Sequence, residues 1–486
     1  MPKELLAAKC NYNKVLKESE VMSQENTNAQ AIDERDKVSW FTRISYGLGD
    51  TSCNIVWGAM SILTFFYTDY AGVSPATVGL VMLLSRCFDG ISDITMGFIV
   101  EKTNSKWGKS RPWILWTSAP FCLSLVLIYL VPQGSDTMQF AYIFVTYNLC
   151  TTVCYTALNL PYGSLSAMMT RSSDERAMLS LVRMALSPIG KIISVSATLP
   201  LIKLFGDNQA AWIKTMGIWA VLAFLMLLLC FWKCEEKVVI EAREKMEKLS
   251  AKFVLKVIGT NKYFWLATGL WTIQACVGIF IGTILPYYCK YVFMDDTLFG
   301  TFFLVETSTT VIATILFCTP LLKKYGKRKM SLFGGILALV GHAIYLTNPY
   351  DVNMVLFSCF VRGLGFAPLS AVVFGFFGDV VEYTQWKYHA RVEGLVFSGG
   401  SVGYKIGGGL VSAAITGLMS AAGYIASSTA DAVQPQAAID MIVRIYEVGP
   451  MIIWSALIII LLAWKLEKIY PQIMNDLAER EARGEI

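Results

Sequence analysis

The sequence is poor in charge and almost free of histidine. Only 16% of its 486 residues are charged and two are histidine, whereas 55% are hydrophobic and the mean hydropathy is +0.51. Soluble chains carry about a quarter charged residues, so this composition argues against a soluble enzyme or a disordered scaffold. A net charge of +5 is weakly basic for this length, and no nucleic-acid partner is expected. What remains is a multi-pass protein of the lipid bilayer.

Signatures of metal binding and ATP use are also missing. The 12 cysteines lie mostly in apolar segments without a CxxC pair, and no GxxxxGK[ST] motif occurs. Neither a disulfide framework nor a structural metal site is therefore expected, and ATP-driven pumping is disfavoured. We expect a chain that is not an enzyme and has no cofactor, in which an ion gradient drives any uphill transport.

Apolar runs of membrane-spanning length occur twelve times, in two groups of six. Since a span needs about 20 apolar residues, the sequence predicts an all-α membrane protein with twelve transmembrane helices in two six-helix bundles. The runs lie near 41–70, 75–100, 112–132, 138–162, 177–204, 211–232, 263–289, 297–322, 330–347, 353–381, 393–420 and 443–464. The predicted division is a tail at 1–39, a bundle at 40–232, a central loop at 233–262, a second bundle at 263–464 and a tail at 465–486.

Basic residues predict the orientation of these spans. Lys and Arg concentrate in the loops after the even-numbered spans, whereas the opposite loops hold only Lys203, Lys214, Lys290 and Arg444. Because positive loops stay in the cytoplasm, both termini are predicted there.

The two halves of the sequence also resemble each other. WGKSR at 107–111 follows the second span, and YGKRK at 325–329 follows the eighth. Paired halves around a site at the membrane midplane are typical of secondary transporters. Two ordinary positive loops are the alternative interpretation.

Three ionisable residues share one face of the second span. The segment RCFDGISD places Arg86, Asp89 and Asp93 at spacings of three and four, with Ser92 beside them. Two carboxylates one turn apart repel each other unless a cation, a shared proton or the arginine relieves them. Oxygen ligands suit a hard cation such as Na⁺, and proton coupling would use the same carboxylates. A structural salt bridge of Arg86 is the alternative, but it leaves one carboxylate unexplained.

A second polar set is suited to a sugar, since hydroxyls, amides and aromatic faces bind vicinal hydroxyls and stack on a sugar ring. Its members are Asp50, Asn54 and Trp57 in the first span, Tyr155, Thr156 and Asn159 in the fourth, Arg183 in the fifth and Lys405 in the eleventh. Each one alone is more often a packing residue. Together with two buried cations they favour a polar cavity.

Six motifs in order resemble the glycoside–pentoside–hexuronide:cation symporter family. They are SYGLGD at 45–50, FFYTDYAG at 65–72, RCFDGISD at 86–93, SKWGKSRPWIL at 105–115, CYTALNLPYGSL at 154–165 and GDVVEYTQW at 378–386. The resemblance covers about residues 40–470. It implies a major-facilitator fold, alternating access and a sugar site at the midplane.

The resemblance also implies roles for individual residues. Asp89 and Asp93 would be the principal cation ligands, helped by Ser92 and Thr156. The residues implied at the sugar are Tyr155, Asn159, Arg183, Ser401 and Lys405, with Asn54 in the first span; Lys405 would lie between sugar and cation. Ser92 stands where some members have Asn, so the choice between Na⁺ and H⁺ stays open.

Departures from the galactoside carriers of the family bear on the substrate. Those carriers have acidic residues near the sugar where this chain has Asn54 and Asn159, with Cys53 beside Asn54, and Gly163 replaces a tryptophan. This chain would lack those carboxylates but keep the two cations Arg183 and Lys405. The site would then carry excess positive charge, which an anionic sugar would offset. The family's glucuronide carriers share this pattern, but so do some pentoside members.

Charges near the helix ends suggest a gate. Asp379 and Glu382 lie at the end of the tenth span, opposite Lys109 and Arg111. Salt bridges between these acidic and basic residues would stabilise the outward-facing state. The alternative is that all four are simply solvated charges at helix ends. Arg362, in the outer half of the tenth span, either pairs with Glu306 or attracts an anionic substrate.

The resulting prediction is cation-coupled symport, with Na⁺ or H⁺, of a sugar, glycoside or hexuronide across the cytoplasmic membrane of a bacterium. An uncoupled sugar facilitator and a carrier of a lipid-like amphiphile on the same fold are the alternatives.

Overall fold

The computed structural model describes residues 37–170, 172–237, 259–389, 393–427 and 433–483. These ranges are almost entirely helical. The helices are α1 (Trp40–Met60, continued by Leu63–Asp69), α2 (Pro75–Lys102), α3 (Arg111–Ile128), α4 (Asp136–Asn148, a π-helical segment Leu149–Cys154, then Tyr155–Met169), α5 (Ser173–Leu204), α6 (Gln209–Lys233), α7 (Lys262–Val292), α8 (Leu298–Ala313, a π-helical segment Thr314–Cys318, then Thr319–Tyr325), α9 (Lys327–Thr347), α10 (Val352–Tyr388), α11 (Glu393–Ala421), α12 (Gln436–Ala463) and α13 (Leu466–Ala482).

Short polar side chains start many of these helices. The N-cap residues Ser39, Ser74, Ser135, Ser172, Asn208, Asn261 and Asp351 each accept a hydrogen bond from a backbone N–H in the first turn. Such caps satisfy N–H groups that have no partner inside the helix. Local sequence therefore explains where the spans begin.

The helices match the predicted spans, and the predicted all-α fold class is confirmed. Ten helices in the described ranges are long and apolar enough to cross a membrane. The other two are α1, which is interrupted at Ser61 and Ile62, and α2, which contains Arg86, Asp89 and Asp93. The charged C-terminal stretch forms α13, which packs on α10.

The packing repeats between α1–α6 and α7–α12. In the first half α1 packs on α5 and α6, and α3 packs on α6; in the second half α7 packs on α11 and α12, and α9 packs on α12. The halves meet where α2 packs on α11 and α5 on α8, which are again equivalent pairs. The resemblance between the halves therefore extends from sequence to packing.

The paired loop motifs make equivalent contacts in the two halves. The backbone N–H of Arg111 donates to Glu236 (2.6 Å), and that of Arg328 donates to Glu467 (2.8 Å). The Nε of Arg111 donates to the carbonyl oxygen of Phe231 at the end of α6, and the Nε of Arg328 donates to that of Leu461 at the end of α12. Both distances are 2.7 Å. Gly108 has φ +105°, which favours glycine, and a Cβ there would lie 2.2 Å from Glu236. Each loop is thus fastened to its own bundle.

The two halves are in close contact on one side of the molecule. We call the side where α1 begins the terminal face and the opposite side the distal face. On the distal half, a Cβ on Gly300 of α8 would lie 2.8 Å from the carbonyl oxygen of Ser196 in α5, and one on Gly282 of α7 would lie 2.9 Å from that of Ser61. On the terminal half, Gly163 of α4 and Gly378 of α10 border open space. The conformation is closed at the distal face.

Candidate functional site

A cluster of polar residues surrounds Asp89 between α2 and α4. Its carboxylate accepts hydrogen bonds from Arg86 (3.3 Å) and from the hydroxyl of Thr152 (2.6 Å). The Thr152 hydroxyl also lies 3.1 Å from Oδ1 of Asn148, and Ser92 donates to the Thr152 carbonyl oxygen (2.5 Å). We call these five residues the Asp89 cluster.

The π-helical segment of α4 explains why Thr152 was not predicted. A π segment adds a residue to a turn, so side chains beyond it no longer follow the α-helical spacing. Thr156, the predicted hydroxyl, is buried one turn further along α4. The side chain of Asp93, the second predicted carboxylate, lies outside the described part of the structure. The pair Thr151–Thr152, level with Asp89, is the signal that sequence reasoning could have used.

The Asp89 cluster offers oxygen atoms to a cation. Among the residues that the structure describes, no three His, Cys, Asp or Glu side chains come together. Among the described residues, a cation at Asp89 would draw its other ligands from hydroxyls, amides and carbonyls, and with the predicted Asp93 carboxylate this oxygen set suits Na⁺ rather than a transition metal. Alternatively, the Asp89 carboxylate could carry a proton.

Arg183 forms a two-point ion pair with Asp50, between α5 and α1. The distances are 3.1 Å from Nε to Oδ2 and 3.3 Å from Nη2 to Oδ1. The guanidinium also lies 5.1 Å from the ring centre of Tyr162, which stacks on Tyr46. The prediction that Arg183 contributes excess positive charge is therefore wrong, because the Asp50 carboxylate compensates its charge. Spacing alone could not show this, since the partners are 133 residues apart.

A cavity of about 380 Å³ adjoins this pair, within the size range of small-molecule sites. Its lining residues are Asp50, Ser180, Arg183, Met184, Ser187 and Pro188. Asn54, a predicted ligand, instead donates to Ser187 (2.7 Å) and to the Asp50 carbonyl oxygen (2.9 Å). Its amide thus joins α1 to α5 in this conformation.

The remaining predicted sugar residues lie on α4 and α11. Tyr155 meets Trp57 edge to face, with ring centres 5.2 Å apart. The side-chain oxygen of Asn159 is buried and accepts no hydrogen bond from the described residues, so it could accept one from a sugar hydroxyl. Ser401 and Lys405 are half-buried on α11.

Helix α11 brings the second half of the chain to the Asp89 cluster, which sequence reasoning did not indicate. A Cβ on Gly409 would lie 2.9 Å from Cγ of Arg86 in α2. Tyr404, on the same helix, has its ring centre 5.6 Å from that of Trp271 in α7.

Arg362 forms a buried network within the second half. It pairs with Glu306 (2.9 Å) and also contacts Tyr446 (3.0 Å), Cys359 (3.1 Å) and His342 (3.4 Å). Of the two alternatives for Arg362, the structure supports the ion pair.

A family model described as MFS/sugar transport protein matches residues 45–468 of the chain. The chain belongs to this family. The match and the relatives below confirm the predicted resemblance to the glycoside–pentoside–hexuronide transporters. They also make the chain a multi-pass membrane transporter rather than an enzyme, as predicted.

Two relatives and two solved structures are similar over nearly the whole transporter. The isoprimeverose transporter of Lactiplantibacillus pentosus is 31% identical over 474 residues, covering 94% of this chain and 95% of the relative. The glucuronide carrier protein homolog of Escherichia coli (strain K12) is 28% identical, covering 80% and 86%. A bacterial homolog of the human lysosomal transporter Spinster, inward-facing and unoccupied, superposes with a TM-score of 0.61 at 12% identity, covering 88% of this chain and 100% of that one. The nucleoside transporter NupG gives a TM-score of 0.55 at 13% identity, covering 89% and 99%. The structural likeness confirms the major-facilitator fold.

Two of the predicted gating residues of this transporter, Asp379 and Arg111, contact residues of their own halves. Asp379 pairs with Lys327 of α9 (2.5 Å), and Arg111 is fastened to the end of α6 as described above. Lys109 is exposed, and its backbone N–H donates to Glu236 (2.9 Å). Glu382 is half-buried on α10. Bridges between the halves at this face were predicted for the opposite conformation, so they stay a prediction.

The distal face is closed by a buried cluster centred on Asp69. Its carboxylate accepts hydrogen bonds from Lys290 (2.6 Å) and Tyr291 (2.7 Å) of α7, from Tyr424 after α11 and from Thr68 (2.9 Å). Asp69 is 2% exposed, so these charge-assisted bonds form away from water. We call these five residues the distal cluster. It links the two halves through the FFYTDYAG motif, to which no role had been predicted.

A second distal link joins Lys203, at the end of α5, to the loop before α8. Its ammonium lies 3.2 Å from Asp295 and 2.6 Å from Asp296. The Thr297 hydroxyl and then Lys203 hold the pKa of Asp295 below its usual value, whereas burial raises the pKa of Asp296. Both distal links cross between the halves.

Replacing Asp69 with Asn should weaken the distal closure. Removing one partner of a buried ion pair costs about 3–5 kcal/mol, and this penalty falls on the closed state in which Lys290 is buried against Asp69. We expect a population with the distal face open, seen as longer distances between spin labels at positions 133 and 350 in pulsed electron paramagnetic resonance. Asp136→Asn, an exposed distal residue, is the control. Unchanged distances in Asp69→Asn would show that the distal cluster does not hold the closure.

Proposed function

We propose that the transporter carries a sugar or glycoside together with Na⁺ or H⁺ across the cytoplasmic membrane of a bacterium. The observation that carries this proposal is the Asp89 cluster, a carboxylate with hydroxyl and amide neighbours inside a membrane-spanning helix. Ionisable groups at such depth are costly and mark ion or substrate pathways. A carrier that only equilibrates its solute would have no need for this cluster.

The second part of the proposal concerns the sugar. The cavity beside Asp50 and Arg183, the open acceptor of Asn159 and the aromatic rings of Trp57 and Tyr155 supply the hydrogen bonds and apolar faces that a sugar ring requires. Relatives named for isoprimeverose and for glucuronides support the substrate class. Helix α11 packs on α2, and we propose that cation binding at Asp89 organises the sugar site through Lys405.

The third part is alternating access. With both termini in the cytoplasm, as the basic loops indicate, the terminal face is cytoplasmic and the present conformation faces inward. Rocking of α1–α6 against α7–α12 would open the distal cluster and close the terminal face. Lys109, Arg111, Asp379 and Glu382 are proposed to meet in that outward-facing state. Cation and sugar each favour closure around the site, so their binding is cooperative.

Uptake by right-side-out membrane vesicles tests this function. Vesicles that contain the transporter are given isoprimeverose, cellobiose, methyl β-glucuronide or methyl β-xyloside under an imposed Na⁺ gradient or an imposed pH gradient. A tenfold gradient of the coupled ion is worth about 1.4 kcal/mol, so with a larger imposed gradient and one ion per sugar we expect at least one sugar to be concentrated tenfold or more. Collapsing that gradient with an ionophore should return the ratio to one.

Other outcomes separate the alternatives. Equilibration of a sugar without accumulation under either gradient would indicate an uncoupled facilitator. Lack of any sugar uptake, together with uptake of lysophospholipid, would indicate an amphiphile carrier, which the open space beside Gly163 could accommodate. Vesicles without the transporter give the background.

A further inference from the structure

Lys191 is a cation deep in the membrane-spanning part of α5. At 1.5 Å per residue it lies about 20 Å from the nearer end of its helix, Leu204, which is farther than a lysine side chain can reach. The ammonium therefore cannot extend to water at either face of the membrane. Sequence reasoning did not select it, because it falls between Arg183 and the distal end of an otherwise apolar run.

Lys191 differs from its cationic neighbours in having no anionic partner. Arg86, Arg183 and Arg362 each pair with a carboxylate, at 3.3, 3.1 and 2.9 Å. Within the described ranges, no carboxylate lies within 4.0 Å of Lys191 Nζ and no hydrogen bond involves it. Its one described interaction is with the ring of Phe303 in α8, at 5.6 Å from the ring centre.

The ammonium of Lys191 faces an internal space. The residue is half-buried, and it follows Met184, Ser187 and Pro188, which line the cavity beside Arg183, at spacings of seven, four and three on one face of α5. Its backbone packs against Gly58 of α1, where a Cβ would lie 3.0 Å from the Lys191 carbonyl oxygen. The side chain reaches from the first half to Phe303 of the second, just inside the contact between Ser196 and Gly300 that closes the distal half. Nζ therefore lies between the two halves, where a transported solute must pass.

We propose that Lys191 binds an anionic group, a carboxylate or a sulfonate, on the transported sugar. An unpaired ammonium at this depth is costly unless the solute compensates it, and the compact charge of lysine suits a compact anion. Arg183 and Asp50 lie two turns earlier on the same side of α5, about 12 Å along the helix. The solute would thus be a two-ring acidic glycoside, with its neutral ring at the Asp50–Arg183 pair and its anion at Lys191. This inference depends on the proposed sugar transport.

Binding by the full-length transporter in lipid nanodiscs tests the proposal. The ligands are three neutral disaccharides with a terminal glucose, galactose or mannose, and the three uronic acids in which the terminal CH₂OH is a carboxylate. We expect at least one acid to bind about tenfold or more tightly than its neutral counterpart. Lys191→Gln should abolish that preference, whereas Lys191→Arg should retain most of it.

Lys214→Gln is the matched control, because it removes a lysine from the neighbouring α6 at an exposed position. A preference for the acid that persists in Lys191→Gln would overturn the proposal. Equal binding of acid and neutral sugars by the wild type would also overturn it, while leaving sugar transport intact. If no ligand binds and the vesicles described above accumulate no sugar, the proposed function itself fails.

Discussion

Replacing Asp89 with Asn should abolish uphill accumulation of sugar while leaving downhill exchange measurable. Asn cannot compensate a cation or carry a proton, so the driving ion would lose its principal described ligand. The accumulation ratio in vesicles should fall from tenfold or more to one, whatever the size of the imposed gradient. Exchange of labelled for unlabelled sugar, which needs no net ion flux, should continue. Asp93→Cys, which removes the second carboxylate of the RCFDGISD segment, should have the same effect.

The two adjacent threonines of α4 provide a matched pair of controls. Thr152 donates to Asp89, whereas Thr151 donates to the Tyr147 carbonyl oxygen of its own helix (3.0 Å). Thr152→Val should reduce the accumulation ratio and raise the ion concentration needed for half-maximal uptake. Thr151→Val should leave both close to wild type. Wild-type accumulation by Asp89→Asn would remove the Asp89 cluster from the coupling mechanism.

The positions of the spans were predictable because they depend on local patterns. Hydropathy over about 20 residues finds a helix that must satisfy its own backbone in lipid, and the α6 run at 211–232 became Gln209–Lys233. The similarity of WGKSR to YGKRK was predictable because it is also a local sequence pattern. In the structure the two motifs make equivalent contacts, the first with Glu236 and the second with Glu467.

The partners of the buried charges were not predictable from spacing. Asp50 and Arg183 are far apart in sequence, and only the packing of α1 on α5 brings them together. The contact of Thr152 with Asp89 depends on a π-helical segment that no periodicity indicated. Lys191 was overlooked because a single lysine in an apolar run has no pattern of its own; its importance follows from the lack of a described partner.

Neutralising the Asp50–Arg183 pair should separate structural from substrate roles. Asp50→Asn or Arg183→Gln alone leaves one half-buried charge without its partner, at a cost of about 1–3 kcal/mol. We expect each single variant to lose at least 100-fold in initial uptake rate and to accumulate at lower levels in the membrane. The double variant removes both charges, so its abundance and melting temperature should recover. Its uptake should remain lost, because the planar donors of Arg183 and the acceptors of Asp50 are then missing from the cavity.

A second ion pair between the same two helices is the appropriate control. Arg43 of α1 meets Glu175 of α5 at 2.8 Å, near the terminal face and outside the cavity. Because that pair has only a structural role, the double variant Arg43→Gln/Glu175→Gln should recover uptake along with stability. If Asp50→Asn/Arg183→Gln also regained wild-type uptake, the pair would be a brace between α1 and α5, and the sugar would have to bind through Asn159, Tyr155 and α11. If the Asp50→Asn/Arg183→Gln variant does not regain uptake, the ion pair that holds α5 against α1 also presents its donors and acceptors to the substrate. Binding of substrate in the cavity is then linked to the packing of α1 on α5.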